Sequence, residues 1–120
     1  NFYKNIGNGE NLTINSFKKF LSLEPANPTG YIELAEFYYI IKNYGQAEET
    51  LQKAIDVKPD YSVAYHNLAY ALVQQNKLDE AIKMLEKTMS LLDKKDPNYI
   101  RAATDKNTIE KAISNKKSNQ

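Results

Sequence analysis

The sequence predicts an all-α fold, a stack of antiparallel helix hairpins ended by a C-terminal capping helix. Three observations carry this. Apolar residues return at intervals of three and four, the helical spacing, and strand signals are poor. The connections between these segments are short, which sets neighbouring helices antiparallel. The chain also matches itself at an offset of 34 residues. Tyr31, Tyr65 and Tyr99 share one column, Leu34, Leu68 and Ala102 a second, Ala35, Ala69 and Ala103 a third, and Pro25 and Pro59 a fourth. Tyr44 with Leu78, Ala47 with Ala81 and Leu51 with Leu85 keep the same register. A fixed period of this length marks hairpins that cannot bury their apolar faces alone and stack to do so.

Each element has its own warrant. Residues 1–10 hold two glycines and are expected as a weak helix remnant or a loop. A helix over 11–23 follows, with Phe17, Phe20 and Leu21 on its apolar side and in part exposed. Asn27-Pro28 offers an N-cap side chain and a first-turn proline, so a helix is expected over 29–42. Asn43 with Gly45 is expected to stop it. The next helix covers 46–57. Asp60 or Ser62 can cap a helix over 62–75, which Asn76 ends by tolerating the left-handed conformation. A helix over 78–92 completes that hairpin. Asp96-Pro97 starts the last helix, 97–115, in which Tyr99, Ala102, Ala103, Lys106, Ile109, Ala112 and Ile113 form one stripe and the outer face stays wet. The polar tail 116–120 is expected to fray. The whole of 1–120 is thus expected as one domain: 11–27 a partial unit, 28–61 and 62–95 two full units, and 96–115 the cap.

Bulk properties narrow the function. A chain of 120 residues with 42% hydrophobic and 26% charged residues suits one core, and its net charge of +1 draws it to neither nucleic acid nor an anionic membrane. There is no cysteine, so disulfides, thiolate catalysis and cysteine-built zinc sites are excluded. No apolar run approaches the roughly 20 residues that span a bilayer, and no signal peptide is expected within these residues. The chain opens without methionine and is expected to be a piece of a longer protein. Cytoplasm is slightly favoured as its compartment, with the periplasm open.

Little in the sequence could carry chemistry. His66 is the lone histidine, with no serine in a nucleophile motif beside it and no second metal ligand, so a solvent-facing position is expected. Glu48-Glu49 and Asp79-Glu80 fall near helix N-termini, where carboxylates suit the helix dipole better than acid–base work. The glycines of NIGNGENL lack the lysine of a phosphate loop. The lysines towards the C-terminus lack interleaved aromatics, which favours a solvated cap over a nucleic-acid surface. No catalytic residue, cofactor or metal is expected.

The columns resemble the tetratricopeptide repeat, a 34-residue helix–turn–helix. Repeat 28–61 supplies Tyr31, Leu34, Ala35, Tyr38, Ala47, Leu51, Ala54 and Pro59 at the family's positions. Repeat 62–95 supplies Tyr65, Leu68, Ala69, Leu72, Ala81, Leu85 and Thr88, with Asp93 where proline is usual. The resemblance implies a right-handed superhelical solenoid whose concave face, made by first helices, binds a peptide or a helix of a partner. Carried over position by position, that face holds Ile32, Glu33, Glu36, Tyr39, Ile40, His66, Asn67, Tyr70, Gln74 and Arg101. The family's carboxylate clamp for acidic C-termini needs lysine and asparagine where Ile32 and Glu36 stand. Asn67 and Arg101 match later clamp positions, but Glu33 and Glu36 repel an acidic tail, so no working clamp is expected. Residues 31–60 hold six acids against three lysines, which favours a neutral or basic protein ligand. Rival readings are a structural spacer, self-association into a homo-oligomer through the N-terminal end, and a regulatory appendage of an enzyme elsewhere in the parent protein. No nucleic acid and no membrane insertion are expected.

Overall fold

Asn27 starts a helix as its chemistry allows. Its Oδ1 accepts from the backbone N–H of Thr29 at 3.0 Å and of Gly30 at 3.4 Å. Pro28 follows at the first position, where no N–H is needed. Asp96 and Pro97 repeat the device, with Asp96 accepting from Asn98 N–H at 2.8 Å. The computed structural model describes residues 2–119, and side chains from Gly9 onward. Its helices are α1 (Phe2–Leu23), α2 (Pro28–Ile40), α3 (Tyr44–Val57), α4 (Ser62–Gln74), α5 (Leu78–Ser90) and α6 (Pro97–Ser118). There is no strand among the described residues.

The two central turns are built alike. After α2, the N–H of Asn43 reaches the carbonyl of Tyr38 at 2.8 Å and that of Lys42 reaches Tyr39 at 3.0 Å. After α4, Lys77 reaches Leu72 at 2.9 Å and Asn76 reaches Val73 at 2.9 Å. Both are Schellman closures, and each needs one left-handed residue. Those residues are Lys42 (φ 64°) and Asn76 (φ 60°). Asn76 is as expected, but Asn43 with Gly45 is not the stop. Asn43 instead caps α3, its Oδ1 accepting from Gln46 N–H at 3.4 Å, and Gly45 lies inside that helix. The paired backbone bonds hold Lys42 in a conformation that an L-residue otherwise avoids.

A second repeated device joins the hairpins. Tyr31 donates its hydroxyl to the Pro25 carbonyl at 2.9 Å, and Tyr65 donates to Pro59 at 2.6 Å. In these two layers the tyrosine and proline columns are one interaction, a side chain tying α2 and α4 each to the turn before it.

Consecutive helices pack side by side through the stack. The shortest dimension, 21 Å, is about two helix diameters, so the molecule is two layers thick. Ala35, Ala47, Ala54, Ala64, Ala69, Ala71 and Ala81 are buried and let the helices approach closely, while Leu51 and Leu85 fill the space between them. Phe17 of α1 meets Phe37 of α2 with ring centroids 6.4 Å apart. A Cβ on Gly30 would lie 2.8 Å from both Phe20 and Leu21 side-chain atoms, so glycine lets α2 begin against α1.

Several boundaries differ from expectation. α1 reaches back to Phe2 through the glycines. Each interior glycine costs a helix only about 0.5–1 kcal/mol relative to alanine, too little to end it. Neither Asp60 nor Ser62 caps α4; Tyr61 occupies that position with no side-chain bond. α6 runs on to Ser118, so most of the tail is helical, and Gln120 lies outside the described residues. Glu48 sits beyond the first turn of α3 and pairs across to Lys77 at 3.1 Å, whereas Asp79 and Glu80 do occupy the first turn of α5. Phe20 and Leu12 are exposed on α1, while Leu21 is buried.

Candidate functional site

α2 and α4 lie side by side with α3 beneath them, and a hollow of about 460 Å³ opens between them. Ala35, Glu36, Tyr39 and Ile40 of α2 line it, with Ala47 and Leu51 of α3 and Asn67 and Tyr70 of α4. The spacing explains the set. Residues 36, 39 and 40 share one helical face, as do 67 and 70, and the helices present those faces to each other. A second, smaller hollow of about 190 Å³ adjoins it, lined by Ser62, Val63, His66, Asn67, Tyr70, Thr88, Asn98 and Arg101. Asn67 and Tyr70 line both, so the two form one trough across α2, α4 and α6.

The expected face is thus gathered in part. Glu36, Tyr39, Ile40, Asn67 and Tyr70 surround the larger hollow, and Arg101 stands at the smaller. Gln74 is exposed and donates its Nε2–H to the Tyr39 hydroxyl at 3.1 Å. Glu33 points away from the trough, to a shallow apolar depression with Phe17 and Phe20 of α1. Ile32 is a core residue, 5% exposed. His66 is also buried rather than solvent-facing, 7% exposed, because α6 covers it.

What covers His66 is Asp105, a residue that pattern alone does not single out. The His66 Nε2–H donates to Asp105 Oδ2 at 3.1 Å, and the Tyr70 hydroxyl donates to the same oxygen at 2.9 Å. A carboxylate only accepts, so the imidazole proton lies on Nε2. The His66 and Tyr70 rings stand 4.9 Å apart, and the cluster ties α4 to the cap. No signal within α4 could have found it, since the partners are 39 residues apart and off the repeat period.

Burial first, then the hydrogen bond and charge of Asp105, push the Tyr70 hydroxyl up from 10.0 to about 12, with Arg101 pulling the other way. A raised folded-state pKa contributes stability that is fully present below the unfolded value near 10 and is lost as pH rises through about 12. The stability difference between wild type and Tyr70→Phe should therefore fall across that window, as urea midpoints at successive alkaline pH values will show. A difference independent of pH there would place the Tyr70 proton outside the folding equilibrium.

The Tyr70 hydroxyl is therefore engaged as a donor and that of Tyr39 as an acceptor, and the Tyr39 ring leans edge-on against Tyr44 at 5.2 Å. What faces the larger hollow is carbon, with Glu36 and Asn67 as its polar points. Among the described residues no group of three His, Cys, Asp or Glu side chains is placed to hold a metal ion. Nor is any described helix long and apolar enough to cross a membrane.

Comparison with known proteins gives the following. A family model described as tetratricopeptide repeat matches residues 28–94. Small glutamine-rich tetratricopeptide repeat-containing protein 2 of Saccharomyces cerevisiae is 29% identical over 80 residues, 67% of this chain and 23% of that protein. The chain accordingly spans less than a quarter of that relative's length. The crystal structure of MamA superposes with a TM-score of 0.78 at 29% identity, covering 93% of this chain and 63% of that one. The first TPR of Spaghetti, bound to the HSP90 peptide SRMEEVD, superposes with a TM-score of 0.77 at 24% identity, covering 95% and 86%.

Proposed function

We propose, since this chain belongs to the tetratricopeptide repeat family, that it is a protein-interaction module without enzymatic activity of its own, and that it binds a peptide segment of a partner in the trough across α2, α4 and α6. The observation that carries this is the larger hollow, an apolar bowl of about 460 Å³ with two polar points on its rim. Large rings offer contact area at low entropy cost, and Asn67 can both donate and accept. The peptide in the Spaghetti structure supports the mode of binding. It does not carry over as the ligand. SRMEEVD is acidic, and here Glu36 stands on the rim while Ile32, at the clamp's other position, is buried. A neutral or basic partner fits better.

Affinity capture tests the site. Wild type should recover a partner that Asn67→Ala/Tyr70→Ala loses while circular dichroism still shows a folded helical protein, its urea midpoint lowered by loss of the Tyr70–Asp105 bond. Undiminished recovery by the folded double variant would move the function off this trough and favour a structural spacer.

A further inference from the structure

We infer that the occupant of the larger hollow is an extended stretch of a partner protein, set back from its C-terminal carboxylate, in which an apolar side chain stands next to a lysine or arginine. This rests on the trough being the binding face and goes on to name what the trough selects.

The bowl itself asks for carbon. Ala35 and Leu51 form its base, and Ile40, 73% exposed, forms a bare apolar wall. Tyr70 donates its hydroxyl to Asp105, and Tyr39 accepts from Gln74 while keeping its own O–H free, so both rings offer carbon surface and Tyr39 one remaining donor. An apolar side chain fits such walls, whereas a polar one would lose its hydration without gaining partners.

Asn67 decides the backbone form. Its carboxamide makes no hydrogen bond to another described side chain or carbonyl, and it lies half-buried on the wall shared by both hollows. A carboxamide offers a donor and an acceptor together. An extended segment carries unpaired N–H and C=O groups that match it. A helix has already satisfied its own, except at its ends.

Charge decides the neighbour. Glu36 is exposed on the rim and has no ion-pair partner among the described residues. Arg101 at the far end shares its surroundings with the Asp105 carboxylate, both acting on Tyr70 with opposite sign. Arg101 likewise has no ion-pair partner among the described residues but lies at the smaller hollow, so the unpaired charge beside the apolar bowl itself is Glu36. A cation next to the apolar side chain meets it. A C-terminal carboxylate brings the wrong sign to the same place.

The test is a titration of the isotope-labelled 120-residue chain, followed by backbone amide resonances. Three probes are used: an acetylated and amidated peptide with a central Leu-Lys pair in a serine–alanine background, the same peptide with Leu-Glu, and SRMEEVD with its free carboxylate. Leu-Lys should move the resonances of Glu36, Tyr39, Asn67 and Tyr70, and bind about five- to tenfold more tightly than Leu-Glu. Glu36→Lys, an exposed change that leaves the fold intact, should invert that order. Equal binding of Leu-Lys and Leu-Glu, with loss of both on Asn67→Ala, would overturn the charge rule and leave the trough as the site. Preferential binding of SRMEEVD at these residues would overturn the exclusion of a C-terminal carboxylate. Movement of the same resonances on diluting the protein alone would give the hollow to a second copy. No movement with any probe at millimolar concentration overturns the inference outright, and the capture experiment above then judges the trough independently.

Discussion

Leu85→Ala should lower the stability of this chain by about 2–5 kcal/mol, the range for truncating a fully buried leucine whose surroundings relax only in part. Leu85 is 1% exposed, between Ala81 of its own helix and the interior of α4. Its counterpart one period earlier, Leu51, is 2% exposed and should give a loss of the same order. Small domains hold only about 5–15 kcal/mol in total, so either change removes a large share. The expected signature in urea is a lower midpoint with an unchanged slope, since the unfolded surface is the same. Leu12→Ala on α1 is the control. That leucine is 68% exposed, and its loss should stay within about 0.5 kcal/mol. Losses at Leu51 and Leu85 no greater than at Leu12 would mean that the two positions are not the equivalent core sites their column makes them.

That column was legible because packing writes it twice. Alanine and leucine recur at one spacing in the two hairpins, and this fold buries Ala47, Ala81, Leu51 and Leu85 alike. The turns were half legible. Asn76 is left-handed as its type allows, but Lys42 holds the equivalent position with no side-chain preference for it. There the backbone bonds of the turn decide, and they leave no mark on the residue type. At the start of α1 the sequence leaves a weak helix or a loop open, and the helix is what forms, since two glycines cost it only about 0.5–1 kcal/mol each. Glu36, Tyr39, Ile40, Asn67 and Tyr70 were legible as a face because helical spacing places them together. Ile32 and His66 were misplaced because that same spacing says nothing of what the next layer covers. They occupy one column, whose last member, Ile100, remains 55% exposed where no described layer follows.

That column suggests how the His66–Asp105 pair arose in structural terms, and what removing it should do. One period earlier, the positions of His66 and Asp105 are held by Ile32 and Ala71, and both are buried. The later layer thus has a polar pair where the earlier one has two apolar residues. Asp105→Ala leaves the buried imidazole N–H without an acceptor and frees the Tyr70 hydroxyl. An orphaned buried donor costs about 1–3 kcal/mol, and with a second group released we expect a loss of about 2–3 kcal/mol. Amide exchange should quicken first in α6, because the cluster is a tie between that helix and α4. Replacing both partners is different in kind. His66→Ile with Asp105→Ala restores the pair of residue types found in the earlier layer and leaves no buried imidazole to satisfy. Most of the lost stability should return, since apolar substitution of both partners of a hydrogen bond is often nearly neutral. A double-mutant cycle measures this directly. If the double variant proved as unstable as the sum of the single ones, the two sites would not be partners, and α6 would owe its position to Ala102, its apolar neighbours and the Lys106–Glu86 ion pair.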